Sequence, residues 1–265
     1  MNKEERDAGS PVVFSIVTVV YNGESLLRGT MQSVFEQTYP HIEYWVIDGA
    51  SKDGTLEIVR EYEQKMPNLK WISEKDRGLY DAMNKGLLKA TGDFIQFLNC
   101  GDHLHASDTI EKLAALVGSN TDVLYGETLL VNEERHSAGT MSELSTRKIP
   151  AKLRWKDYLG GMLVVHQSFI PRRTLAPFYM ENNLCADFDW CIQILKSSRE
   201  NVFSDIIITD YLMGGMSKQR HRQSLKDRFE VMKTHFGLLP TIASHIRILF
   251  RAFFHRILRI NKARY

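Results

Sequence analysis

Residues 12–49 read "VVFSIVTVVYNGESLLRGTMQSVFEQTYPHIEYWVIDG". The first nine are β-branched and almost all apolar, with no polar alternation. A run of that kind is a strand buried on both faces, as in a parallel sheet. "YNGES" supplies a turn. Ser25 is placed to cap a helix through "LLRGTMQSVFEQ", which Tyr39-Pro40 stops. "IEYWVID" (42–48) is a second strand of the same kind.

Working outward, the rhythm repeats. "GASKDG" is a turn and "TLEIVREYEQK" a helix, followed by a strand at "LKWISE" (69–74). "DRG" leads into the amphipathic helix "LYDAMNKGLLKA". Thr91-Gly92 ends it, and "DFIQFLN" is a fourth strand. Strand and helix alternate with short links, which predicts an open α/β sheet, mainly parallel and flanked by helices. Beyond residue 120 the reading loosens. "DVLYGETLLVN" suggests a strand or short hairpin, and 132–160 is polar without a clear period. "MLVVHQSFI" reads as a strand, "ADFDWCIQILKSS" as a helix and "NVFSDIIITDYLM" as a strand. "GGMSKQRHR" is a glycine-led basic loop, and 222–236 and 241–260 look helical. The division expected is a lead-in at 1–11, disordered, one α/β domain at 12–217, and C-terminal basic amphipathic helices at 218–265.

The 265 residues suffice for one large domain or two small ones. Apolar residues make up 43% and charged residues 25%, as in ordinary soluble proteins. A net charge of +2 gives no reason to expect a nucleic-acid partner. Three irregularly spaced cysteines, Cys100, Cys185 and Cys191, argue against a disulfide framework and fit a reducing compartment. "MNKEERDAGSP" lacks the apolar core of a signal peptide. No uncharged apolar run reaches the roughly 18 residues of a transmembrane helix.

In an open α/β sheet, ligands sit beyond the carboxyl ends of the strands. Here those ends carry Asn22, Asp48, Ser51, Asp53, Asp76, Arg77, Asp102, His103 and His105. A lone carboxylate such as Asp102, placed after a buried strand, suits Mg²⁺ or Mn²⁺, which complete their oxygen shell with phosphate and water. The plainer reading is that Asn99, Cys100, Gly101 and Asp102 are a turn. For His103 and His105 a structural role is the stronger reading. Asp48 directly follows "YWVI", where a carboxylate can accept hydrogen bonds from a nucleobase or ribose. Asp53 and Thr55 are suited to capping the next helix. Arg77 is a phosphate contact by type, and Lys85 is equally well a surface residue. In "CADFDW", Asp187 and Asp189 are two apart and cannot share one helix face. Either can be a cap, and either can be a general base.

Taken in this order, the loops resemble those of family 2 glycosyltransferases with the GT-A fold, and above all bacterial enzymes of exopolysaccharide, colanic-acid-type and O-antigen assembly. The resemblance spans roughly residues 12–217. It is carried by the opening segment through "DGASKDGT", by "EKDRGLYDAMNKGLLKATGDFIQFLNCGD", and by "HQSFIPR", "ADFDW" and "GGMS". It implies that Val19, Tyr21, Asn22, Asp48, Asp76, Arg77 and Gly78 line a nucleotide site, together with Asn99 and Gly101. Asp102 would be the remaining metal contact of a DxD-type motif for Mn²⁺ or Mg²⁺, because Asn99 and Gly101 stand where relatives carry carboxylates. Gly49 replaces the second aspartate of the usual "DDGSxDGT" loop, and Ala186 the glutamate of an "ED" pair. Asp187 would be the general base of an inverting transfer, with Asp189 as runner-up. His166 and Gln167 would line the acceptor site, with a satisfied core histidine the equal alternative for His166, and Arg220 and His221 would contact phosphate from a closing loop. The donor is expected to be a nucleotide-diphosphate sugar, UDP-linked by default.

"SHIRILFRAFFHRILRINKARY" closes the chain. Arg247, Arg251, His255 and Arg259 recur every fourth residue against a stripe of Ile and Phe, and no acid occurs after Thr241. Such a helix reads as an interfacial anchor on an anionic membrane. The alternative is packing on the protein's own core. The anchor suits a polyprenyl-linked glycan acceptor and a cytoplasmic enzyme held peripherally at the inner face of the membrane. Two other classes are compatible with parts of the sequence. A non-catalytic sugar-nucleotide or glycan-binding subunit would account for the thinned motifs. A nucleotidyltransferase would be expected to carry a glycine-rich phosphate loop, which "YNGES" is not.

Overall fold

The computed structural model describes residues 10–214 and 220–262, with side chains through Arg251 except that of His221. Of the expected lead-in, only Ser10 and Pro11 fall within the described residues. The elements follow in chain order. β1 (Phe14–Val20), α1 (Glu24–Phe35), β2 (Ile42–Asp48), α2 (Thr55–Glu63), β3 (Leu69–Ser73), α3 (Leu79–Lys89) and β4 (Phe94–Phe97) form the alternating half. β5 (His103–Leu104), α4 (Thr109–Ala115), β6 (Thr121–Val131), β7 (Ser137–Thr140) and α5 (Met141–Leu144) come next. 3₁₀ turns at Trp155–Gly160 and His166–Ser168 precede β8 (Phe169–Pro171), and a third, Arg173–Leu175, follows it. α6 (Ala186–Ser197), β9 (Glu200–Leu212), α7 (His221–Phe236) and α8 (Leu238–Lys262) complete the chain.

The first sheet has the order β3-β2-β1-β4 and is parallel throughout. All seven residues of β1 are buried, because helices cover both faces. Phe14 and Ile16 pack with Leu27, Met31 and Ile58 on one side. Val17 and Val19 pack with Met83, Phe97 and Trp190 on the other. This is why the strand shows no alternation of polarity. The chain moves outward from β1 to β3, then returns to place β4 on β1's free edge. The strand order reverses between β1 and β4, and a crevice opens at such a point.

A second sheet, β5-β9-β6-β7 with β8 antiparallel to β6, continues from the first through a bridge between Phe94 and Arg172. Several boundaries differ from those read in the sequence. "MLVVHQSFI" is strand only from Phe169. His166 and Gln167 lie in a 3₁₀ turn, where their side chains leave the sheet. Residues 121–131 form one long strand rather than a self-contained hairpin, and its partner β7 comes from the stretch that had no period. Ser25 does not cap α1. Gly23 holds that position, and the Glu24 N–H donates to Asp53 Oδ2 at 3.1 Å. The tertiary partner replaces the local cap. α8 is longer than read, beginning at Leu238. No helix among the described residues is long and apolar enough to cross a membrane.

Candidate functional site

The loop after β4 is held by β1 from below and by α1 from the side. Cys100 N–H donates to Val19 O at 3.3 Å, Thr18 Oγ1 to Leu98 O at 2.8 Å, and Gly101 N–H to Thr30 Oγ1 at 2.9 Å. Asp102 N–H donates to Asn99 O at 2.9 Å, which closes a four-residue turn. Gly101 sits at φ +101, and a Cβ there would come 2.9 Å from the Leu212 side chain. A carboxylate at 101 would be strained at this φ and would press on the Leu212 methyl of β9. The substitution seen in the sequence therefore has a local physical reason.

Asp102 is 4% exposed. Its Oδ1 accepts from Leu212 N–H at 2.9 Å and its Oδ2 from Gln167 Nε2 at 2.8 Å. Burial pushes its carboxyl up to about 6, opposed by those two hydrogen bonds. Beside it, Asn99 Oδ1 and Gln167 Oε1 are buried without partners. Arg135, from the β6–β7 turn, donates to Gly101 O at 2.7 Å. Nothing in the sequence marked Arg135, since only the hairpin brings it here.

His166 bridges this loop to α6. Its Nε2 lies 3.4 Å from Asn99 Nδ2 and its Nδ1 3.5 Å from Asp187 Oδ2. If the Asn99 amide donates, the ring proton sits on Nδ1 and faces Asp187. Asp187 Oδ1 accepts from Phe188 N–H at 2.8 Å and lies 3.4 Å from the Tyr80 hydroxyl. Tyr80 stacks on Tyr179 at 5.6 Å, and Tyr179 stacks on Trp190 at 4.8 Å. Trp190 is one turn beyond Asp187 on α6, so the aromatic column fixes the carboxylate from beneath. Burial raises the Tyr80 phenol well above its ordinary range and keeps it protonated. Tyr80 is not among the residues expected from the sequence to serve the site. Its signal was a polar-tipped aromatic on the apolar stripe of α3.

Asp189 is turned away from this cleft. It is 5% exposed and accepts from Gln193 Nε2, with His235 Nε2 of α7 at 2.6 Å from its other oxygen. That ties α6 to α7 and leaves Asp187 as the α6 carboxylate facing His166.

At the β2 end, Asp48 is fully buried and accepts from Ser73 Oγ at 2.5 Å and Ser51 N–H at 3.1 Å. Asn22, at φ +49, accepts from Lys52 N–H at 2.9 Å, while its own N–H donates to Ser51 Oγ at 2.8 Å. Val19 is buried below this loop, and Tyr21 is 62% exposed above it. A Cβ on Gly49 would meet Asp76 Oδ2 at 2.5 Å and the Tyr21 ring at 3.3 Å. An exposed ring and a carboxylate thus face each other across a glycine, a geometry suited to stacking and pairing a base. Asp76 is shifted up, chiefly by burial, and accepts from Gly78 N–H at 3.1 Å. Gly78 has φ +136 with open space where a Cβ would be. Arg77 is exposed and divides itself between Asp81 and Glu181, each at 2.8 Å. Reaching a phosphate would require it to exchange those partners.

The two histidines that follow the loop after β4 divide. Burial drives His103 down to about 4, and it packs against Gly29 of α1. His105 pairs with Asp210 at 2.7 Å. Both are structural in this geometry. Burial also pushes the Cys100 thiol up to about 12, which favours the protonated form. Arg220 is exposed at the start of α7, His221 follows with its side chain outside the described residues, and most of the glycine-led loop, 215–219, also lies outside them.

Among the described residues no group of three His, Cys, Asp or Glu gathers to hold a metal. The local donors are nonetheless hard oxygens. The Asp102 carboxylate and the unpartnered Asn99 Oδ1 fit a divalent ion that takes most of its ligands from diphosphate and water.

The fold is that of a GT-A glycosyltransferase. Residues 15–176 match the family model described as glycosyl transferase family 2, and the chain belongs to that family. A Mycobacterium bovis protein named PGL/p-HBAD biosynthesis glycosyltransferase is 27% identical over 214 residues, covering 77% of this chain and 79% of its own. Glycosyltransferase GlyA of Streptococcus pneumoniae is 30% identical over 120 residues, 45% of this chain and 17% of its own. The structure of S. aureus TarS 1-349 in complex with UDP-GlcNAc superposes with a TM-score of 0.66 at 21% identity, covering 84% of this chain and 65% of that one. A mannosyltransferase from Pyrobaculum calidifontis, solved with GDP-Man and Mn²⁺, gives 0.62 at 16% identity over 98% and 82%. At such identities these two likenesses show the shared fold.

Proposed function

We propose that this enzyme transfers a sugar, with inversion, from a UDP-sugar to a lipid-linked saccharide acceptor at the inner face of the bacterial membrane, in surface-polysaccharide synthesis. The observation carrying this reading is the His166 imidazole, which spans from Asn99 on the donor-side loop to Asp187 on α6. One ring's width separates the proposed leaving-group site from the proposed base.

Asp187 accepts the proton of the acceptor hydroxyl as that oxygen forms its bond to the anomeric carbon. The bond from that carbon to the diphosphate breaks, and its electron pair leaves with the diphosphate. His166 holds Asp187 in orientation through Nδ1, and Tyr80 supports the other carboxylate oxygen. Asp102 with Asn99 would hold the divalent ion, which when bound supplies positive charge to the leaving diphosphate. Tyr21, Gly49 and Asp76 receive the base and ribose. No protein nucleophile is needed for a single displacement.

α8 would hold the enzyme at the membrane. Its Thr241 and Ser244 are buried against the domain, while Ile246, Leu249 and Phe250 on the opposite side are exposed. The test is calorimetric titration with UDP, GDP and TDP, with and without Mn²⁺. UDP should bind, more tightly with Mn²⁺, and Asp102→Asn should abolish the metal's contribution. Failure of all three nucleotides to bind would overturn the reading.

A further inference from the structure

A second concentration of unbalanced charge lies away from the crevice, at the seam between α8 and the 3₁₀ turn Trp155–Gly160. Arg147 lies flat across Gly160, where a Cβ would come 2.4 Å from Nη1. Its Nη2 donates to Asp157 O at 2.6 Å and its Nη1 to Gly161 O at 3.3 Å. From the other side, Arg251 of α8 donates to Gly160 O at 3.2 Å. Arg247 stands one turn earlier on the same helix. Burial lowers the proton affinity of Arg147, and the charges of Arg251 and Arg247 lower it further, against one opposing carboxylate, Asp157. That carboxylate is already engaged, accepting from Arg154 N–H at 2.8 Å.

Arg147 and Arg251 therefore meet on one Gly-Gly turn, with Arg247 one helical turn away, and the one carboxylate acting on Arg147, Asp157, is already engaged. Each peptide carbonyl accepts only part of a guanidinium's five N–H donors. Like charges so gathered are stabilised by an anion that takes the remaining donors. The surroundings extend the field, since "RKIPAKLRWK" (147–156) carries five Lys/Arg and no acid. Beside the arginines on α8, the exposed Ile246, Leu249 and Phe250 form an apolar strip. A cationic pocket bordered by an apolar strip matches a phosphate attached to hydrocarbon.

We infer that Arg147, Arg247 and Arg251 form a binding site for the headgroup phosphate of an anionic phospholipid, with the apolar strip of α8 resting in the acyl layer. The inference rests on the membrane placement proposed above and gives it a specific address. It joins two segments that the sequence keeps a hundred residues apart.

The experiment is co-sedimentation of the full chain with vesicles of phosphatidylcholine alone, of phosphatidylcholine with 30 mol% phosphatidylglycerol (roughly the charge of an anionic leaflet), and of phosphatidylcholine doped with an isoprenoid phosphate. Binding should require phosphatidylglycerol. The triple variant Arg147→Gln/Arg247→Gln/Arg251→Gln should lose it about 100-fold, as three basic groups near an anionic surface predict. Lys148→Gln/Lys152→Gln/Lys156→Gln removes equal charge outside the cluster and should lose clearly less. Equal losses would overturn the site in favour of a diffuse basic surface. Binding confined to the isoprenoid vesicles would overturn the phospholipid assignment, as would binding to neutral vesicles undiminished by the arginine changes. Calorimetry with UDP on the same variants separates the two readings. Intact nucleotide binding with failed vesicle discrimination refutes this inference alone, and a matching Tm excludes misfolding as the cause.

Discussion

The two ends of the parallel sheet treat buried polar groups in opposite ways. At the amino end, Glu43 is 7% exposed, yet its oxygens accept from Ser15 Oγ at 2.6 Å, Thr91 N–H at 2.7 Å, Thr91 Oγ1 at 2.9 Å and Lys70 Nζ at 3.0 Å. At the carboxyl end, Asn99 Oδ1 and Gln167 Oε1 are buried with no hydrogen-bond partner. Leaving such groups unpaired costs about 1–3 kcal/mol each. Glu43 is thus bonded through both oxygens at one end, whereas two amide oxygens stay open beside Asp102 at the other, where a ligand can complete them. The difference separates a carboxylate whose bonds hold strands together from amide oxygens left open beside the loop after β4.

The largest effect that would break this contrast lies at Asp187. Asp187→Asn should lower kcat by about 10³-fold, within the range for losing a general base. UDP affinity and Tm should stay near wild type. His166→Gln should cost less, about 10²-fold, through lost orientation of that base. Single-turnover kinetics on both variants measures this, and undiminished turnover in Asp187→Asn removes it from the chemistry.

At the opposite end, Glu43→Gln should act on stability alone. Its hydrogen-bond partners outweigh the cost of burial and hold its carboxyl down to about 2, against an ordinary 4.5. The folded form therefore resists protonation. The stability this contributes is fully present above about pH 4.5 and is lost as the pH falls towards 2. The variant should lose about 2 kcal/mol at pH 7, as for a hydrogen-bonded charge, and match wild type near pH 2. Urea titrations at several pH values read this. A pH-independent difference would show that the carboxylate's charge is not what holds Thr91 and Lys70 in place.

The smallest effect sharpens the comparison within the site. Gly49→Ala would set a methyl 2.5 Å from Asp76 Oδ2, a side-chain end that can move. Stability should change by under about 1 kcal/mol. UDP affinity should weaken several-fold as the gap between Tyr21 and Asp76 closes. An unchanged affinity would place the base elsewhere.

Much of the alternating half was legible because its signals are local. Continuous β-branched runs and short turns fix strands that are buried on both faces. Asp48, Asp76 and Asp102 could be placed at one sheet edge because parallel connection sends every strand's carboxyl end the same way. The second half was not legible in the same manner. β7 and the Arg147 segment have no period, since their partners lie on β6 and α8 rather than beside them in the chain. "MLVVHQSFI" has a strand's composition, which by itself places His166 in a strand. The 3₁₀ turn that aims it at Asp187 is imposed by packing between β4 and β9.

By itself, the sequence determined the parallel α/β class, the family and the loops from which a site would be built, because these follow from periodicity, turn chemistry and motif order along the chain. Tertiary structure decided which residue of each loop serves which end. It turned Asp189 to His235 and Asp187 to His166, buried His103, and brought Arg147 beneath Arg251. Those outcomes depend on distances between segments far apart in the chain, and such distances exist only once the two cores have packed.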